Sequence, residues 1–185
     1  MKKILMIFAV STVLFSCSKD DKDTNQQPNS SLTPQSVLPG EWKMTDTHQE
    51  GTTKMNGLVV NSFVTTGSNF KGTVLFEENP NKATANFGYD FKSVVTTHFG
   101  GQTSSQTFND VIPQTPAVST WSINSKGQLE GFNSDPSAAT TTPFDVVIHS
   151  PTQITLKATA NTSQSQQGTT IESEVKFEVS MEKLP

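Results

Sequence analysis

Three histidines, His48, His98 and His149, are the first side chains to test for chemistry, and they are 50 and 51 residues apart. None forms the HxH or HExxH spacing that brings two imidazoles onto one metal ion. They fall in different expected strands and read as strand-face histidines, so no metal site is expected. Glu77 and Glu78 are adjacent. In a strand they point to opposite faces, which makes them poor partners for acid–base work. Glu172, Glu174 and Glu178 share a parity with Lys176 and read as a solvated strand face. No GxSxG elbow presents a nucleophilic serine, and no glycine-rich loop cradles a phosphate; Gly100-Gly101 reads as a turn. There is one cysteine, Cys17, so no disulfide can form within the chain and a cysteine-based zinc site is excluded in practice. No catalytic residue and no cofactor is expected, and the chain does not read as an enzyme.

The elements that would carry these side chains have a period of two. Ala83, Ala85, Phe87, Tyr89, Phe91, Val95 and Phe99 share one parity, with Thr84, Asn86, Asp90, Lys92 and Thr96 on the other. Val94 is the exception. Ile171, Val175, Phe177, Val179 and Met181 alternate with Glu172, Glu174, Lys176, Glu178 and Glu182. A strand separates such sets onto two faces, whereas a helix would scatter them. Gly72–Phe76, Ala117–Ile123, Phe144–Ile148 and Ile154–Ala158 are further strands, the last two joined by a turn at Ser150–Gln153. Asn124–Gly127 turns toward Leu129 and Phe132, and Gly100-Gly101 toward a return strand at Thr103–Val111. Met55–Phe63 fits either a strand or a loop. No stretch of ten residues has a helical period, and many alternating strands with short turns imply a closed barrel or a sandwich, the long strand around Ala83–Phe99 favouring the barrel.

Composition agrees with this. The chain has 185 residues, 32% of them hydrophobic, with a net charge of −4. All 13 cations are lysine. The absence of arginine and of a basic excess argues against nucleic acid as a partner. Serine and threonine number 47 of 185 residues, which suits exposed strand faces better than a helical bundle.

The amino terminus reads as an address. Lys2 and Lys3 precede the apolar run Ile4–Phe15, which is too short to span a bilayer and has the flanks of a secretory signal. Leu14-Phe15-Ser16-Cys17 resembles the lipobox of bacterial lipoproteins, although Phe15 is bulkier than the residue usual there. That resemblance implies cleavage after residue 16, diacylglyceryl modification of Cys17, and anchoring in the outer membrane without a transmembrane helix. Ser18-Lys19-Asp20-Asp21-Lys22-Asp23 is similar to the export signal of Bacteroidota-type surface lipoproteins, which implies a site facing the cell exterior. Thr24–Pro39 is poor in apolar residues and reads as disordered. The expected organisation is a signal peptide at 1–16, a lipidated, disordered tether at 17–39 and a folded domain at 40–185.

Within the domain, Gly40-Glu41-Trp42 opens the first strand, Gly72–Phe76 precedes a polar turn, Thr120–Ile123 precedes a short strand, and Phe177–Leu184 ends the chain. In that order these features resemble the lipocalin-like domains of small bacterial lipoproteins. The resemblance implies an all-β fold, a single antiparallel β-barrel of about eight to ten strands, with Trp42 packed at its closed end. Phe87, Tyr89, Phe91 and Val95 would then line an interior that takes a small apolar ligand. The same alternation also fits a barrel packed solid, acting as a structural or interaction protein through loops such as Gln102–Pro116 or Asn133–Pro143.

Overall fold

A computed structural model describes residues 32–131 and 142–185. The amino-terminal signal, Cys17, the Lys19–Asp23 run and most of Asn133–Pro143 lie outside the described residues. A four-residue helix, α1 (Pro34–Val37), is capped by Thr33, whose hydroxyl accepts from the Ser36 amide at 3.3 Å. This helix lies inside the stretch read as tether; Val37 and Leu38 are buried, so packing begins before Gly40.

Nine strands follow among the described residues: β1 (Gly40–Met55), β2 (Leu58–Glu77), β3 (Lys82–Phe99), β4 (Gln102–Thr120), β5 (Ser122–Ile123), β6 (Leu129–Glu130), β7 (Asp145–Ser150), β8 (Gln153–Gln166) and β9 (Thr169–Lys183). Seven form one antiparallel sheet in the order β4-β3-β2-β1-β9-β8-β7, and β5 and β6 form a separate hairpin. The outer strands β4 and β7 are not hydrogen-bonded to each other, so the sheet is open. This corrects the expected lipocalin-like barrel. Alternation assigns each side chain to a face, but closure requires the two edges to pair, and period two says nothing about that.

The ambiguous Met55–Phe63 segment resolves into a turn and the start of β2. Asn56 and Gly57 have φ of 50° and 80°. Positive φ at both positions is what a two-residue type I′ hairpin needs, because its twist matches that of the strands. Gly100-Gly101 and Gln167-Gly168 have the same signs. Three hairpins, β1–β2, β3–β4 and β8–β9, therefore stand side by side with their turns at one end of the sheet. At about 3.3 Å per residue, the 16 residues of β1 place that end about 50 Å from Gly40.

The core lies at the opposite end. It gathers Trp42, Val74, Phe76, Trp121, Leu129, Ile154, Leu156 and Met181 beneath α1 and the β5–β6 hairpin. Both indoles are satisfied: Trp42 Nε1 donates to the Leu38 carbonyl at 2.7 Å, and Trp121 Nε1 to that of Glu77 at 3.0 Å. Phe76 meets Trp121 edge to face, with centroids 5.9 Å apart. The β5–β6 hairpin is held at this end by reciprocal bonds between Leu129 and Phe144.

Candidate functional site

Pairing registers sort the far half of the sheet into two unlike faces. One row runs Ala160–Val175–Gly51–Phe63–Val95–Gln106 across β8, β9, β1, β2, β3 and β4. Residues two away in each strand share its face. That face carries Leu156, Ala158, Phe177, Val179, Phe91 and Phe108, along with uncharged Thr, Ser, Gln and Asn. Asp110, on the outer strand, is its one charged residue from Leu156 outward among the described residues. Hydroxyl pairs such as Thr53–Ser173 at 3.1 Å and Thr65–Ser93 at 2.9 Å cross-link neighbouring strands there. Phe63 lies over Gly51, filling the space that a Cβ would take. The Asn61 Oδ1 is buried on this face without a hydrogen-bond partner.

The opposite face holds the charges. Lys176 Nζ reaches Glu50 at 3.2 Å and Glu174 at 3.6 Å, and Lys157 reaches Glu178 at 2.9 Å. The Glu50 hydrogen bond and charge, helped by Glu174, raise the Lys176 pKa above its ordinary value. These side chains are solvent-exposed ion pairs of small energetic weight.

Phe87, Tyr89, Phe91 and Val95 all lie on the uncharged face of β3, partly buried. Phe87 packs against the core. Tyr89 stacks obliquely on Phe70 with centroids 5.6 Å apart, and burial pushes its hydroxyl pKa up. The four form a stripe on an open sheet and do not line the interior of a closed barrel. The ligand-carrier reading that rested on such an interior is therefore corrected. Trp42 is buried in the core, where its packing leaves no ligand contact to assign.

The histidines do not converge. His48 is 3.9 Å from Glu50, His98 Nδ1 is 3.4 Å from the Thr103 hydroxyl, and His149 Nε2 is 2.9 Å from the Thr155 hydroxyl. Among the described residues no group of three or more His, Cys, Asp or Glu side chains could hold a metal ion. Glu77 faces Lys82 at 3.4 Å, and Glu78 accepts from Gln35 at 3.1 Å.

Two features escaped the sequence reading. The first is the set of apolar side chains at the hairpin end: Phe99 is 86% exposed and Leu58 74%, with Met55 and Ile171 beside them. Asn56-Gly57 between two alternating runs was the signal that would have placed Leu58 there. The second is the length of the outer strand: the return strand expected at Thr103–Val111 extends over 19 residues, so Gln102–Pro116 is exposed strand and not a loop.

No protein-family model matches the chain, and neither does any curated protein. Among solved structures it is similar to the crystal structure of Ail, the attachment invasion locus protein of Yersinia pestis, at 9% identity and a TM-score of 0.21, covering 78% of this chain and 99% of that one. A likeness at that score transfers neither fold nor function. No lipocalin match accompanies the earlier resemblance, and the open sheet overturns it.

Proposed function

We propose that the chain is a lipid-anchored, non-catalytic surface protein that holds an open sheet away from the outer membrane to engage another macromolecule. One observation carries this reading. The amino-terminal segment enters at the buried core end, while Leu58, Phe99, Met55 and Ile171 are exposed about 50 Å away at the hairpin end. Large apolar side chains grouped on an exposed end mark interaction sites.

The lipobox-like Leu14–Cys17 supports anchoring, and the Lys19–Asp23 run supports export to the outer face. Loss of residues 1–16 removes two of the 13 lysines, leaving 11 against 17 acids, or −6. Such a chain has no electrostatic attraction to an anionic bilayer, so the lipid on Cys17 does the anchoring. Described helices supply no alternative, since none is long and apolar enough to cross a membrane.

Three measurements test the reading. Cys17→Ala should move the protein from the membrane fraction to the soluble fraction; retention without detergent would refute lipid anchoring. Replacing Lys19–Asp23 with neutral residues should remove the protein from protease attack on intact cells. With the protein immobilised, Leu58→Ser/Phe99→Ser should abolish capture of any partner that the unchanged chain retains. Equal capture by both would refute engagement through the hairpin end.

A further inference from the structure

β4 is the last strand on its side of the sheet, and its segment Gln102–Asn109 contains no charge and no proline. The ladder pattern says which of its backbone groups are free. Phe99 and Gln102 close the two-residue Gly100-Gly101 turn, so Gln102 bonds to β3, and every second residue after it does the same. Thr103, Ser105, Thr107 and Asn109 therefore turn their N–H and C=O groups away from the sheet. Val111 is next in this series, and its outward N–H is capped by Asp110 Oδ1 at 2.8 Å. Pro113, which has no N–H to offer, follows. The unguarded stretch thus ends where the cap begins. It carries Phe108, 49% exposed, on the uncharged face, and Ile112 lies just beyond it on the same face, 38% exposed. β8 also lacks a described neighbour from Ala158 to Gln166, but that stretch has no apolar side chain larger than alanine.

An unguarded edge is a template for another strand. Four outward residues spaced two apart are self-complementary in one antiparallel register. With Gln106 opposite Gln106 of a second copy, Thr103 meets Asn109 and Ser105 meets Thr107, each twice about a two-fold axis. Every free N–H and C=O of the four then has a partner, because an opposed pair of this kind exchanges both bonds. A slide of two residues either way leaves an outward residue facing the turn or the capped Val111. In the centred register the uncharged face continues from one copy to the other, with Ser104 beside Phe108. The two Asp110 carboxylates stand at opposite ends of the pair, about 27 Å apart. From Ile112 onward β4 lies past the other copy's Gly100-Gly101 turn, so no described strand of either copy stands in its place. Ile112 of each copy comes level with that turn, on the face that carries Phe99. A parallel pairing would instead set the uncharged face of one copy beside the charged face of the other.

We infer that this protein pairs with a second copy of its own chain on a facing membrane, Gln102–Asn109 of one adding antiparallel to Gln102–Asn109 of the other. The inference rests on the anchoring proposed above, because the core end is the end nearest the lipid. Registers set Ser119 level with Gly40, and Ser119 is 13 residues beyond Gln106. The two core ends therefore point in opposite directions, about 90 Å apart. Anchors so placed belong to two bilayers that face each other. The contact is isologous and closes at two copies.

The test uses the full-length, lipidated chain in phosphatidylcholine vesicles. Two vesicle populations carry separately tagged Gln106→Cys, are mixed, and are treated with a mild oxidant. Opposed residues at such an axis have Cα atoms about 4.5 Å apart, within disulfide reach. The expected product is a dimer carrying both tags, at a yield on the order of tenfold above that from Thr107→Cys. Thr103→Cys in one population and Asn109→Cys in the other should also link, and neither should link to itself. Dimers carrying only one tag would put both copies on one membrane and overturn the inference. So would a link through Thr162→Cys on β8 in place of Gln106→Cys, or no link at all. Thr107→Pro gives a readout without cysteine. It removes an N–H that β3 does not use, so the melting temperature should hold, while vesicle clustering read by light scattering should fall on the order of tenfold. Unchanged clustering would overturn the inference. Flotation of the vesicles separates the two readings. Missing links between vesicle-bound copies refute the pairing alone, whereas protein that stays behind with Cys17 intact refutes the anchor, and the facing membranes with it.

Discussion

The core end and the far half of the sheet are built from the same strands but packed in different ways. Near Trp42 the apolar face is covered by α1 and the β5–β6 hairpin, and Trp42, Phe76, Leu129 and Leu156 are fully buried. Beyond Leu156 no described element outside the sheet covers that face, and Phe63, Phe91, Val95 and Phe177 are only partly buried. β3 shows the transition within one strand, from buried Ala83 and Ala85 through half-buried Phe91 and Val95 to exposed Phe99. Stability is therefore concentrated at the core end, and the far half contributes exposed apolar area. The sheet is held together there by ladder bonds and cross-strand pairs.

Trp42→Ala should break this contrast most severely. It removes a fully buried ring and leaves the Leu38 carbonyl without its indole donor. A loss of about 3–5 kcal/mol is expected, read as a lower urea midpoint. A loss no larger than that at an exposed site would mean the core is not where stability resides.

Gly51→Ala probes the far half. Its new Cβ would collide with the Phe63 ring and approach the Glu174 carbonyl oxygen at 3.1 Å. About 1–3 kcal/mol of destabilisation is expected. Adding Phe63→Leu should recover part of it if the ring is the obstacle, and no recovery would point to the backbone.

Leu58→Ser and Phe99→Ser should each change stability by no more than about 0.5 kcal/mol, because neither side chain is buried. The proposed function places their effect on partner capture. A large drop in the melting temperature would show instead that these residues pack.

The smallest effect is on the alkaline limb. Tyr89 and Lys176 both have raised folded-state pKa values, the first from burial and the second from its Glu50 and Glu174 partners. A raised folded pKa means that the folded state holds the proton more tightly. The contribution is full below the unfolded values, about 10 for Tyr and 10.4 for Lys, and fades as pH rises through the folded ones. Tyr89→Phe should flatten the fall in stability above about pH 10 and leave neutral pH unchanged. An unaltered alkaline slope would contradict the burial of the hydroxyl.

Much of the local structure was legible. The alternation from Ala83 to Phe99 and from Ile171 to Met181 places its residues on the faces now seen, because strand period and side-chain direction are both local. The irregularities that interrupt the pattern were not legible, two of them above all. Register shifts near Thr45 in β1 and between Ser68 and Lys71 in β2 exchange the parity that faces the core, so that Trp42 and Gly51 share a face. A bulge depends on what the neighbouring strand does, and no single stretch of sequence reveals it. The candidate stripe Phe87, Tyr89, Phe91 and Val95 was found for the same local reason, whereas the exposed end was missed because Asn56-Gly57 was not read as a turn.

The sequence by itself determined the alternation of β3 and β9, the place of Trp42 in its strand and the absence of motifs for known chemistry, whereas the strand expected at Ala117–Ile123 breaks at Trp121 and continues as β5 in a separate hairpin. Only the tertiary structure decided that the sheet stays open, that its core sits at one end, and that Phe99 and Leu58 are exposed while Phe76 is not. Faces follow from side-chain alternation within a strand. Edges and burial follow from which strands meet, and that is settled by contacts between residues far apart in the chain.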